Sequence, residues 1–188
     1  MDKRINEVNS KVKIARTNLV ITESVQLLLE QIQNSYLNGG VILERFEIKN
    51  FEYINRNPKG WNEVLWTIIS HKSIYKQIAN HNLEIKAQQV PSDFKSVSSF
   101  ELLSHISGIL NHGGAYSKIE DRPNDKESVD LAWKSIKDLF TDELSSYNLY
   151  KTYSPWSNWH FGVAWDYSLF MFGKGHKELT MLLITDTD

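Results

Sequence analysis

Asp166 is the acidic residue of this sequence whose surroundings most suggest chemistry. It lies between Trp165 and Tyr167, in a stretch that is otherwise apolar. A carboxylate in apolar surroundings can serve as a general base, because burial disfavours its charged form. It can equally face solvent or pair with a basic residue. His160 falls on the same face of an extended strand, but six residues of strand place the two about 20 Å apart.

Two histidines, His105 and His112, are spaced for one side of a helix. They are seven residues apart, so a metal site or a catalytic pair with Asp166 is conceivable. The His-Glu-x-x-His motif is absent, however, and His112 also suits the C-terminal end of a helix, where a cation is favoured. We therefore expect one surface histidine and one terminal histidine.

Other catalytic motifs are missing from the chain. It has no cysteine, which excludes thiolate nucleophiles, cysteine zinc sites and iron–sulfur ligation. It also lacks a Gly-x-Ser-x-Gly motif. The run Gly173-Lys174-Gly175-His176 does not have the spacing of a phosphate-binding loop and is typical of a hairpin turn. The sequence thus predicts neither a metal nor a cofactor.

Two tryptophans in the segment SPWSNWHFG could instead bind a partner. Trp156 and Trp159 stand among polar residues, and tryptophan is enriched at the energetic centres of protein interfaces. Together with His160 they form one candidate contact. The alternative is that both rings fold back over the core.

The elements that must position these residues begin with helices. Periodic apolar residues predict helices over 4–20, over 25–36 with a stop at Asn38-Gly39-Gly40, and over 61–78. Two further helices begin at capping boxes, Ser98 with Glu101 and Asn124 with Glu127. The first of these helices stops at Gly113-Gly114.

Alternating residues indicate the strands. One strand is predicted from Phe46, a short one from Leu83, and two at the end, from Phe161 and from Leu179, joined by the glycine turn. The expected fold is α+β, with several amphipathic helices packed on a mixed or antiparallel sheet that ends in a C-terminal β-hairpin. No linker or repeat interrupts the chain, so residues 1–188 are expected to form a single domain.

Composition and charge limit the environment and the partners. The N-terminus shows no secretory signal and no apolar run reaches the roughly 20 residues of a membrane span, which predicts a cytoplasmic protein. The net charge of −2 argues against nucleic acid as a partner. Residues 121–188 hold 7 basic and 11 acidic residues, a net −4, and end on Asp186 and Asp188, which suggests a surface for a basic partner.

The last 32 residues, SNWHFGVAWDYSLFMFGKGHKELTMLLITDTD, resemble the ends of small bacterial immunity proteins. The likeness lies in an aromatic strand with Ala-Trp-Asp, a glycine turn, an apolar strand and a terminal Thr-Asp-Thr-Asp. Such proteins are cytoplasmic antidotes to contact-dependent growth inhibition toxins and other polymorphic toxins. The resemblance implies a protein that is not an enzyme and that occludes the active site of a cognate toxin.

Three hypotheses remain from the sequence. The first is an immunity protein that binds a toxin domain, in particular a nuclease, through Trp156, Trp159, His160, Asp186 and Asp188. The second is a small hydrolase or nuclease-like enzyme that uses Asp166 with His105, His112 or His160. The third is an oligomeric scaffold without catalytic activity, and the sequence leaves the oligomeric state open.

Overall fold

A six-stranded antiparallel sheet forms the centre of the fold. The computed structural model describes residues 7–8, 10–54, 60–77, 93–118, 122–140, 143–173 and 175–186. The strands are β1 (Lys13–Thr17), β2 (Gly40–Lys49), β3 (Lys95–Val97), β4 (Asn148–Thr152), β5 (Tyr167–Gly173) and β6 (Glu178–Thr185). Their order across the sheet is β1-β2-β6-β5-β4-β3, and every neighbouring pair is antiparallel. The predicted α+β class and the closing β5–β6 hairpin are confirmed.

Five helices accompany the sheet in the described residues. They are α1 (Glu23–Ser35), α2 (Trp61–Ile69), α3 (Lys72–Gln77), α4 (Ser99–His112) and α5 (Asp125–Leu139). Short 3-10 turns occupy Phe51–Tyr53 and Leu144–Ser146. None of the helices in the described part of the chain has both the length and the apolar character that membrane crossing requires.

Local hydrogen bonds explain where the long helices begin. Ser98 accepts from the backbone N–H of Glu101, whose carboxylate accepts from the N–H of Ser98. Asn124 and Glu127 form the same reciprocal pair at the start of α5. Each pair satisfies two backbone donors that a helix start leaves free. Both predicted capping boxes are confirmed.

The two central strands are covered on both faces. Along β5 and β6, Phe170, Phe172, Met181 and Leu183 lie in one apolar cluster, which also contains residues of α2 and α3. The residues between them, such as Leu169 and Leu182, lie in a second cluster with α1, α4 and α5. The apolar run of β6 is therefore explained by burial on both sides.

The helices on the second face lie side by side. The Asn111 side chain, near the end of α4, donates to Asp125 at the beginning of α5 over 2.5 Å, and the two helices pack along one another, so they run antiparallel. Ser135 in α5 donates to the carbonyl of Ser24 in α1 over 2.9 Å. Helix α5 therefore packs against both α1 and α4.

The N-terminal segment departs from the prediction. Residues 13–17 form strand β1, paired with β2 from Lys13 opposite Lys49 to Thr17 opposite Arg45, instead of continuing a helix. Ile14 is buried, whereas Ala15 on the predicted helical stripe is exposed. The edge of β2 offers a row of backbone partners, and this tertiary pairing overrides the helical spacing.

Other elements and boundaries also differ from the prediction. The helix expected over 61–78 is divided into α2 and α3 by a turn at Ser70 and His71. Strands β3 and β4 were not predicted, and β2 begins at Gly40 and not at Phe46. Strand β5 begins at Tyr167 and not at Phe161, because residues 161–166 form a loop. The strand expected from Leu83 lies outside the described residues.

Candidate partner-binding surface

Trp156 and His160 lie in the interior and share a polar network. Their exposures are 1% and 0%. The indole N–H of Trp156 donates to Ser168 Oγ over 2.8 Å, and His160 contacts Ser168 Oγ through Nε2 (3.1 Å) and Ser157 Oγ through Nδ1 (2.8 Å). An indole nitrogen only donates, so Ser168 can give its own hydrogen to Nε2 while Nδ1–H donates to Ser157.

This network corrects the prediction that Trp156 and His160 contact a partner. Both side chains are enclosed and their polar atoms are bonded within the chain, so a partner could reach them only if the core opened. Trp159 packs edge-on against His160, with ring centroids 5.4 Å apart, and it alone of the three keeps a partly exposed surface.

Asp166 fastens the loop before β5 to the end of β6. Its Oδ2 accepts from the N–H groups of Gly162 (2.6 Å) and Val163 (3.2 Å), and its Oδ1 accepts from Phe161 N–H (3.4 Å) and the Thr185 hydroxyl (2.5 Å). The side chain is buried. A carboxylate that accepts from four donors can hold this loop in place, and these hydrogen bonds explain why Asp166 lies among apolar residues.

On the other face of the sheet, Asp186 likewise holds loops to the end of β6. It is fully buried and accepts from the N–H groups of Asn38 (3.0 Å) and Ala115 (2.8 Å), which joins the turns after α1 and α4 to β6. Burial, with smaller contributions from Tyr167 and Asp186, raises the pKa of nearby Tyr36 against the opposing effect of Arg122. Asp186 is therefore not exposed to a partner, and Asp188 lies outside the described residues.

His105 and His112 are separated from the His160 network. His105 lies on α4 and contacts Lys151 Nζ of β4; burial, aided by the lysine charge, lowers its pKa, while Glu101 opposes the shift. His160 and its partner Ser168 lie on the opposite face of the sheet. His112 is the exposed last residue of α4. Within the described residues no three His, Cys, Asp or Glu side chains are grouped to hold a metal ion.

A cleft of about 690 Å³ lies where β2 ends beside the β5–β6 turn. His176 forms one wall, stacked on Phe51 at 4.9 Å and tilted against Trp61 at the same distance. His176 has a left-handed φ of 67°, and burial lowers its pKa. The rings close the end of the core under the hairpin turn, which Gly175 shapes with a φ of 63°.

Three of the exposed large apolar side chains in the described residues lie on α4 and α5, while others, such as Val20, Leu27 and Leu37, lie elsewhere. Phe100 of α4 is 83% exposed, Trp133 and Val129 of α5 are 46% and 44% exposed, and Leu103 of α4 is half-buried. We call these four residues the α4/α5 strip. Counting the helical rise of 1.5 Å per residue from the Asn111–Asp125 hydrogen bond places Leu103 level with Trp133, and Phe100 about 4.5 Å further along.

Basic side chains accompany the strip on α5. Lys126, Val129, Trp133 and Lys137 follow one another at spacings of three, four and four residues, so they form one stripe along the helix. Lys134 and Asp130 border this stripe. Lys126, Lys134 and Lys137 are exposed, and none forms an ion pair in the described part of the chain. The stripe therefore has Val129 and Trp133 in its middle and a lysine at each end, and exposed acidic residues flank these lysines: Asp125 and Glu127 at one end and Asp138 at the other.

The periodicity of the sequence held a signal for this surface. In the sequence, Val129 and Trp133 stand among the apolar residues of their helix, but on a helical projection they lie 60° and 100° round from buried Ala132. The apolar residues of this helix therefore span a wider arc than the stripe by which a helix usually packs on the core. Phe100 follows the N-cap Ser98 closely and fits no buried stripe.

The comparisons with known proteins are negative. No family model matches this chain, and no curated protein was found to be similar to it in sequence.

Proposed function

We propose that this protein neutralises a protein toxin by binding it, and that the α4/α5 strip is the contact surface. The observation that carries the proposal is the exposure of Phe100 and Trp133 on two adjacent, well-anchored helices. Aromatic side chains on rigid elements are the commonest energetic centres of interfaces, because they bury a large area at little conformational cost. The class of partner comes from the resemblance of the C-terminal segment to immunity proteins.

The strip can supply part of the binding energy. The exposed parts of Phe100 and Trp133 amount to roughly 280 Å², from typical areas of the two residues, and their burial is worth about 7 kcal/mol before association costs. Association costs about 4–15 kcal/mol, so a stable complex needs the surrounding surface as well. We therefore place the strip at the centre of an interface of about 800 Å² on this protein.

The charge of this surface bears on the kind of toxin. Helix α5 exposes three lysines and four acidic residues, so its mixed charge favours neither a strongly basic nor a strongly acidic partner. The proposal therefore keeps the neutralising role and does not specify a nuclease. Trp156, His160 and Asp186 act in it as parts of the scaffold, because they are buried.

The test is protection during co-expression with the product of the neighbouring upstream gene. The wild-type protein should form a one-to-one complex with that product and restore growth. The variants F100S and W133S should weaken the complex by about 30-fold or more, which corresponds to the loss of one hot-spot residue. F161S removes an aromatic ring that is 53% exposed outside the strip, and it should bind as the wild type does.

Either of two results would overturn the proposal. One is co-expression that gives neither complex nor protection with wild-type protein. The other is full protection by the F100S/W133S double variant with an unchanged circular dichroism spectrum and melting temperature, which would place the contact elsewhere.

A further inference from the structure

Thr185 and Asp186, at the end of β6, hold loops on both faces of the sheet. The Thr185 hydroxyl donates to the buried carboxylate of Asp166, which also accepts from three N–H groups of the loop before β5. Asp186 accepts from the N–H groups of Asn38 and Ala115, in the turns after α1 and α4. Successive side chains of a strand point to opposite faces, so these two neighbouring residues reach both sides.

We infer that the end of β6 couples these loops as a conformational device, so that they open and close as one unit. We call Asp166, Thr185 and Asp186 the β6-end cluster. If Thr185 moves away from Asp166, the end of β6 becomes free to shift, and Asp186 shifts with it because it is the next residue. The inference goes beyond the proposed function and does not depend on the α4/α5 strip.

Two glycines bring the turns directly against the β6-end cluster. A Cβ added at Gly39, in the turn after α1, would stand 2.1 Å from the carbonyl oxygen of Thr185, and one added at Gly114, in the turn after α4, would stand 2.1 Å from Asp186 Oδ2. The Gly114 N–H also donates to the carbonyl of Ser35 over 3.1 Å, which joins the two turns to each other. Contacts as close as these transmit a displacement of β6 to both turns.

Partly open states of the β6-end cluster are unfavourable. Asp166 and Asp186 are 1% and 0% exposed. A state in which Thr185 alone has moved would leave Asp166 buried with one donor fewer, and a buried acceptor that loses a partner is costly. The same cost applies to Asp186 if one of the two turns moves alone. The closed state, and an open state that admits water to both carboxylates, are therefore favoured over the states between them.

Amide hydrogen exchange of the full-length protein, measured residue by residue by NMR, tests this coupling. The variant T185V keeps the side-chain shape and removes the hydroxyl that donates to Asp166. It should speed exchange of the Ala115 N–H, on the opposite face, by at least about tenfold relative to the Phe170 N–H in central strand β5. The matched control T180V makes the same substitution nearer the start of β6 and should change that ratio by less than about twofold.

The variant D186N tests the coupling in the other direction. The Gly162 N–H donates to Asp166, on the face opposite to Asp186. Its exchange in D186N should be faster by at least about tenfold relative to the Phe170 N–H. An unchanged Gly162 ratio in folded D186N would show that the loops open independently and would overturn the inference.

The two threonine variants decide the question even if D186N does not fold. An Ala115 ratio in T185V that is no larger than in T180V would overturn the inference, because the link to Asp166 would then have no effect on the opposite face. Equal acceleration of Ala115 and Phe170 in T185V would also overturn it, because the whole domain would then open and the loops would form no separate unit.

Discussion

The replacement of Asp166 by asparagine tests whether this carboxylate holds the fold together or performs chemistry. Asparagine has almost the same shape but carries no charge, and one of its two terminal atoms donates instead of accepting. In the native protein both carboxylate oxygens accept, with Gly162 and Val163 on one and Phe161 and Thr185 on the other. The substitution must therefore leave part of this donor set without an acceptor.

The expected loss can be worked out from these contacts. The asparagine oxygen can keep the bonds from Gly162 and Val163, and its amide can donate to the Thr185 hydroxyl. The Phe161 N–H then faces the asparagine amide, which is itself a donor, and a buried N–H without an acceptor costs about 1–3 kcal/mol. The hydrogen bonds that remain also become weaker, because they no longer involve a charged acceptor. We expect D166N to lower the free energy of unfolding by about 3 kcal/mol.

Urea unfolding followed by tryptophan fluorescence measures this loss. With a slope of about 2 kcal/mol per molar urea, the midpoint should fall by roughly 1.5 M, and the melting temperature by roughly 6–12 °C. The matched control is D130N, which changes an exposed aspartate on α5 and should move the midpoint by less than about 0.25 M.

A midpoint for D166N within 0.25 M of the wild type would refute the structural role of the carboxylate. If the same variant also lost a measurable hydrolytic or nuclease activity, the enzyme hypothesis would replace the binding one. A loss of stability in D166N with toxin binding retained at temperatures where the variant is folded would agree with the role argued from its contacts.

Three further substitutions test other parts of the fold. G114A should lower the free energy of unfolding by about 1–3 kcal/mol, because its Cβ would stand 2.1 Å from Asp186 Oδ2. G108A lies in the interior of α4 and should raise the free energy of unfolding by about 0.5–1 kcal/mol. The urea midpoints of the two variants check both directions. S98A removes the N-cap of α4 and should lower the unfolding free energy by about 1 kcal/mol in the same assay. Burial, reinforced by the Lys72 charge and partly offset by the Val12 carbonyl, lowers the pKa of His71, so the unfolded chain takes up that proton first as the pH falls. The free energy of unfolding is therefore unaffected by His71 above about pH 6.5, and below that pH it declines by up to about 1.4 kcal/mol per pH unit. The H71Q variant should show a smaller decline in the free energy of unfolding between about pH 6.5 and 5. An unchanged decline would contradict the assignment to His71.

The features that the sequence predicted well depend on neighbours along the chain. The Ser98–Glu101 and Asn124–Glu127 boxes formed as expected because each needs only residues three positions apart. The closing hairpin was predictable for a similar reason: a glycine turn separates two apolar runs, and Gly175 indeed takes a positive φ.

The features that were predicted wrongly depend on distant parts of the chain. Residues 13–17 become a strand only because β2 offers its edge, which lies about thirty residues further on. Residues 161–166 were read as strand because their alternation is regular, but Asp166 turns them back as a loop. Its partner Thr185 follows nineteen residues later, and no local pattern indicates that the two meet.

The exposure of the candidate site residues also depends on distant parts of the chain, as two tryptophans show. Trp156 attracted attention because polar residues surround it in sequence, yet those residues, Ser157 and His160 together with Ser168, form the buried network that encloses its ring. Trp133 stood among apolar residues that suggested burial, yet it is 46% exposed, because Ala132 and Ile136 already fill the inner face of α5. Sequence neighbours therefore gave the opposite of the true exposure in both cases. The two rings differ in direction: the loop before β5 turns Trp156 towards the core, whereas α5 turns Trp133 towards the surface. For this reason the proposed contact lies on the helices and not on the aromatic segment before the hairpin.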